Sequence, residues 1–165
     1  MTASLPEIWI FSRGSLGKIS LGPMMRVWEM GSLALGKGHR VHLCLDGCTT
    51  DLPDGMVFHP ITRDLFETIP PGDRIIASIF LKPRDLKALL DSKHPFDIDF
   101  YCIGALEGIE SSDRLPFWRR YQGRRRTALR YRMLLEYADT FAVTSRRVKN
   151  SFGFISPCRI NSLLM

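Results

Sequence analysis

Apolar residues in this chain come in short runs parted by polar loops, and the runs alternate between a strand-like and a helix-like period. Glu7-Ile-Trp-Ile-Phe11 is rich in β-formers and ends at Ser12-Arg13-Gly14, which predicts a buried strand. A loop with Gly14, Gly17 and Gly22 follows and closes on Pro23, a residue suited to the first turn of a helix. Met24, Val27, Trp28, Met30, Leu33, Ala34 and Leu35 then recur at helical spacing, and Gly36-Lys-Gly38 supplies the stop. Residues 40–45 read as a second strand, so the opening is a βαβ unit. Further strands are predicted over 56–59, 73–78, 97–102 and 140–143, with a helical turn over 61–69 and a short helix over 83–90. A long helix is predicted over 116–137, and Ser145 caps another over 146–152. Strands alternating with helices predict a Rossmann-like α/β three-layer sandwich whose mainly parallel sheet has about six strands.

The 165 residues suit one domain of ordinary size, and 45% hydrophobic with 24% charged residues excludes a disordered tail, a fibre or a coiled coil. The domain is expected to span 1–153, with 154–165 a linker or truncated junction toward a second domain. No apolar run approaches a membrane span and no basic leader precedes Leu5, so the expected location is the cytoplasm. Cys44, Cys48, Cys102 and Cys158 are scattered and read as reduced thiols rather than a zinc cage. His39, His42, His59 and His94 suggest no shared face, and no metal or cofactor is expected.

Charge changes the picture more than composition does. Between Arg114 and Arg132 stand eight arginines and no acidic residue. The rest of the chain, with 15 basic and 17 acidic residues, is slightly acidic. Arg119, Arg120, Arg124, Arg125, Arg126 and Arg130 interleave with Trp118 and Tyr121 on one predicted helix, a pattern suited to an anionic membrane surface or a phosphorylated ligand. A solvated face paired with acidic neighbours fits the same residues, and nucleic acid fits them less well.

In an open α/β sheet, ligands bind beyond the carboxyl ends of the strands. Ser12-Arg-Gly14-Ser15-Leu-Gly17-Lys18 is predicted to lie there, where glycines let backbone approach a ligand and a following helix N-terminus favours an anion. Its glycine spacing fits neither a dinucleotide fingerprint nor a P-loop, and a turn without a ligand stays open. Asp99 and Tyr101 end the fifth predicted strand, and Glu107 and Glu110 follow; a carboxylate there would bind a hydroxyl or act as a base. Asp97 and Asp99 as strand caps stay open too.

Taken in order, several segments resemble the N-terminal domain of retaining glycosyltransferases of the GT-B fold. They are Gly14-Ser-Leu-Gly17, Gly36-Lys-Gly-His39-Arg-Val41, Asp99-Phe-Tyr-Cys-Ile-Gly-Ala-Leu-Glu107, Tyr137-Ala-Asp139 through Ser145, and Cys158-Arg-Ile-Asn161. Cys102 and Ile103 stand where that pattern has Asp and Pro. The resemblance implies an acceptor-binding domain of an enzyme moving a hexose from a nucleotide sugar to a glycan or lipid-linked acceptor, as in polysaccharide biosynthesis. It places Gly14, Ser15 and Gly17 near the donor phosphates and acceptor, Asp99 and Glu107 at acceptor hydroxyls or as supports of their loop, and Lys18, Tyr101 and Ser145 in the same cleft. It implies no sugar transfer by this piece alone, and a peripheral position on the inner membrane face. A non-catalytic module that docks through its basic helix on membrane, protein or nucleic acid is the alternative.

Overall fold

The computed structural model describes residues 5–17, 22–78, 81–100, 118, 121, 137, 138 and 140–143, with Phe100 and the last four described by backbone alone. The predicted strands form as β1 (Ile8–Phe11), β3 (Val41–Leu45), β5 (Met56–Pro60), β6 (Arg74–Ser78) and β7 (Phe96–Phe100). All pair in parallel in the order β5-β3-β1-β6-β7, and β8 (Thr140–Val143) runs parallel along the far side of β7. The chain steps outward one way from β1 to β5, then returns to start β6 on the other side of β1. That order is compatible with a Rossmann-like doubly wound fold, whose reversal falls between β1 and β6. Just beyond the ends of β1 and β3 the chain also makes a two-residue ladder, β2 (Ser15–Leu16) with β4 (Gly47–Cys48). Two residues carry no readable alternation, so the sequence predicts only loop there.

The central strands β1 and β3 are buried on both faces, as a parallel sheet between helices requires. On one face, Ile8, Ile10, Val41, Leu43 and Leu45 pack under α1 (Gly22–Gly36) through Met24 and Val27. Gly31 brings the helix close: a Cβ there would stand 3.3 Å from Met56 Cε. The helix ends where Gly38 takes φ 87° and His39 N–H returns to the Ala34 carbonyl. On the opposite face, Phe11, Ile75, Ala77, Phe96 and Ile98 pack under α2 (Pro83–Asp91) through Leu86 and Leu89. A 3-10 helix, η1 (Asp64–Thr68), joins them with Phe66 stacked on Phe11. Because α1 and α2 follow strands on opposite sides of the reversal, right-handed crossovers put them on opposite faces and leave a crevice between their starts.

Among the described residues no helix is long and apolar enough to cross a membrane. The helix predicted over 116–137, apart from residues 118, 121 and 137, the helix after Ser145 and the segment 154–165 lie outside the described residues.

Candidate functional site

The register sets the site. Phe11 pairs with Ala77, and Ser78 with Asp99, so Ser12, Ser78 and Asp99 stand in one row at the carboxyl ends of β1, β6 and β7. Side chains alternate along a strand, which turns all three of them toward the α1 face. From α1, Arg26 reaches Asp99 Oδ1 at 3.6 Å, an ion pair too long for a hydrogen bond. Ser12 is 1% exposed and Asp99 4% exposed. Burial pushes the Asp99 carboxyl above its ordinary pKa, and the charge and hydrogen-bonding capacity of Arg26 only partly offset that.

Beside this row the first loop is tied down by Asp46, which directly follows β3. Gly14 N–H donates to Asp46 Oδ2 at 2.8 Å, Asp46 N–H donates to the Gly14 carbonyl at 2.9 Å, and Arg13 pairs with Asp46 Oδ1. Gly14 takes φ 125°, and a Cβ there would meet Met24 Sδ at 3.1 Å, so glycine is required on both counts. Arg13 also faces Asp85 of α2 at 3.6 Å. Asp85 Oδ1 accepts from Arg84 Nε at 3.1 Å.

Five buried side-chain atoms among the described residues have no hydrogen-bond partner: Ser12 Oγ, Arg26 Nε, Thr50 Oγ1, Asp85 Oδ2 and Asp99 Oδ1. All five lie at the carboxyl ends of strands, in the segments that leave them or in the first two turns of the helices that follow. Buried polar atoms are almost always bonded, because each orphan costs about 1–3 kcal/mol. Their gathering on one rim therefore marks a place where hydroxyls or anionic oxygens from a ligand would complete the bonding. Next to it lies a hollow of about 180 Å³ lined by Leu16, Gly17, Met25, Trp28 and Thr50.

Of the residues expected at the site, Gly14, Ser15, Gly17 and Asp99 all lie on this rim. Ser15 is the first rung of the small ladder and Gly17 follows it, where a Cβ on Gly17 would stand 2.9 Å from Thr49 Oγ1. Lys18, Tyr101, Glu107, Ser145 and the arginines 119, 120, 124, 125, 126 and 130 lie outside the described residues. Trp118 and Tyr121, from the same basic segment, are in helical backbone with more than half their surface exposed. Ser12 belongs to the first loop expected at this rim, whereas Arg26, Asp46 and Asp85 were not among the residues the sequence pointed to. Asp46 carried a signal, as a carboxylate closing a buried apolar run; nothing in the helical pattern marks Arg26 as turned inward.

The histidines need a correction. His42 and His59 do share a sheet face, with Nδ1 of the first 2.8 Å from Nε2 of the second. They sit on adjacent parallel strands in even-numbered offset from their paired residues, a relation that appears only once the register is known. Among the described residues, no group of three or more His, Cys, Asp or Glu is arranged to hold a metal ion. Cys44 is fully buried, and desolvation drives its thiol far above the ordinary range, which leaves it inert. No family model, curated protein or solved structure matches the chain.

Proposed function

We propose that this chain is the acceptor-binding domain of a glycosyltransferase, holding a glycan or lipid-linked acceptor on the rim where β1, β6 and β7 end. The observation that carries the reading is the cluster of orphaned buried polar atoms around Ser12, Arg26 and Asp99. A sugar presents closely spaced hydroxyls that donate and accept at once. Asp99 would accept from one hydroxyl, while Ser12 and Arg26 would serve its neighbour. The first turn of α1 contains no acidic residue, so the positive end of its dipole stays uncompensated beside the Gly14 loop and favours a phosphate there. The exposed Trp118 and Tyr121, set among arginines, suit a protein resting on an anionic membrane face, where such rings lie at headgroup level.

One rim supplies one wall of a cleft. Expelling a nucleoside diphosphate requires charge stabilisation that grows in the transition state, from both sides of the departing group. The 165-residue chain is therefore expected to bind without turning over. Titrating it with nucleotide sugars, oligosaccharides and glycolipid micelles should shift backbone amide signals at 12–17, 46 and 99. Asp99→Asn should weaken the responding ligand by about 10-fold or more, the worth of one hydrogen bond to a charged group. Shifts confined to other surfaces, or none with any of these probes, would refute the reading.

A further inference from the structure

A second polar group lies on the sheet face opposite α1, away from the rim. His42 of β3 lies flat against its register partner Trp9 of β1, with ring centroids 3.9 Å apart and planes within 6°. His42 Nε2 meets Glu7 Oε2, and His42 Nδ1 meets Nε2 of His59 on β5. Trp9 is itself held in place by donating Nε1–H to Asp73 Oδ2 at 3.0 Å. His42 is 6% exposed, while His59 is only half-buried. The row Glu7, His42, His59 thus runs from the entry of β1 to the outer strand β5.

Counting protons along this row gives it a property that neither histidine has alone. An ionised carboxylate only accepts, so His42 Nε2 carries a hydrogen. The contact between the rings needs one hydrogen and tolerates no more. With both rings neutral, His59 donates Nε2–H to the lone pair on His42 Nδ1. One added proton, on either ring with the bridging hydrogen shifted to match, leaves every bond in the row intact. A second has only the bridging nitrogen to occupy, and it sets N–H against N–H between two positive rings.

We infer that Glu7, His42 and His59 form a proton-counting clasp, which stays closed on β5 with no added proton or one and opens at the second. In the described sheet β5 pairs on one side only, with β3. Losing the side-chain bridge therefore loosens β5 and the connection leading into it. That connection includes Gly47–Cys48, the partner of Ser15–Leu16. The clasp does not depend on the function proposed for the rim.

The surrounding charges are consistent with this behaviour. Burial first, then His42, then Arg40 hold His59 below the ordinary histidine pKa. A histidine lowered in this way makes the unfolded chain the better proton acceptor. The stability it contributes is present above the unfolded value and is lost as pH falls through the folded one. Arg40, ahead of β3, stands 4.0 Å from Glu7 Oε1. Asp73, ahead of β6, has both oxygens engaged, by Trp9 Nε1–H and by Glu7 N–H. His39 Nδ1 is engaged by the Pro6 carbonyl, and η1 meets this face through Phe66 rather than a charge.

The test is an NMR titration of the imidazoles in the full chain between about pH 8 and pH 4.5, with melting curves alongside. Two separated steps are expected, the second at least ~10-fold less favourable than the first, and the β5 amides should shift only with the second. His59→Gln retains an N–H donor toward His42 and takes no proton. Its melting midpoint should hold between about pH 7.5 and 5 while that of the wild type falls. Independent single-step titration of the two rings, or an equal fall in His59→Gln, would overturn the clasp.

Discussion

The two rims of the sheet obey opposite rules. At the entry rim, ahead of β1 and β6, Asp73 is buried and both of its oxygens are bonded, one to Trp9 and one to the backbone of Glu7. At the exit rim, Asp99 is just as buried, yet one of its oxygens has no hydrogen-bond partner and Arg26 stands 3.6 Å from it. Composition does not separate them, since both rims have aspartates, arginines and tight turns. The difference lies in completeness. Local bonding rules that hold at the entry rim fail together at the exit rim, and the proposed binding site rests on that failure.

The sharpest way to break this contrast is to damage the complete rim. Asp73→Ala removes both acceptors and strands two donors, one of them the buried indole N–H. It is expected to cost about 2–4 kcal/mol, read as a lower urea midpoint. A loss below about 1 kcal/mol would mean that the entry rim is no more finished than the exit rim.

A smaller effect of opposite sign is expected at the other end. The raised pKa of Asp99 means that the native state still holds a proton that the unfolded chain has released. Stability therefore falls as pH rises through that pKa. Asp99→Asn should abolish that fall and melt no lower than the wild type at neutral pH, the usual trade at a functional site. If the variant melts clearly lower, Asp99 is a structural partner of Arg26 and the rims are alike.

The least effect belongs to Arg74→Ala. Its bond to Asp97 at 2.8 Å lies at the entry rim, but the arginine side chain is more than half exposed. Removing it is expected to change stability by no more than about 0.5 kcal/mol in a chemical melt. A larger loss would show that completeness at this rim extends to its solvent-facing pairs.

The strands and the first helix were legible in the sequence because burial on both faces writes itself as unbroken apolar runs. Ile8–Phe11 and Val41–Leu45 are such runs, bounded by glycine and charge. The place of Gly14 and Asp99 at the carboxyl rim was legible because Gly14 follows the first such run and Asp99 lies near the end of its strand. Arg26 was not, because one helical turn differs little in sequence whether its arginine faces water or a buried carboxylate. The pairing of His42 with His59 was hidden for another reason. It depends on which residue of β5 lies beside which residue of β3, and alternation alone leaves that offset undetermined.

The miniature ladder of Ser15–Leu16 with Gly47–Cys48 has a mechanical consequence. It welds the loops leaving β1 and β3 into a single lever, with Asp46 as a second rivet to Gly14. Neither loop can swing without carrying the other. Cys48, a half-buried free thiol on the far arm, is thus a built-in attachment point from which a spectroscopic label would feel any tug on the glycines opposite.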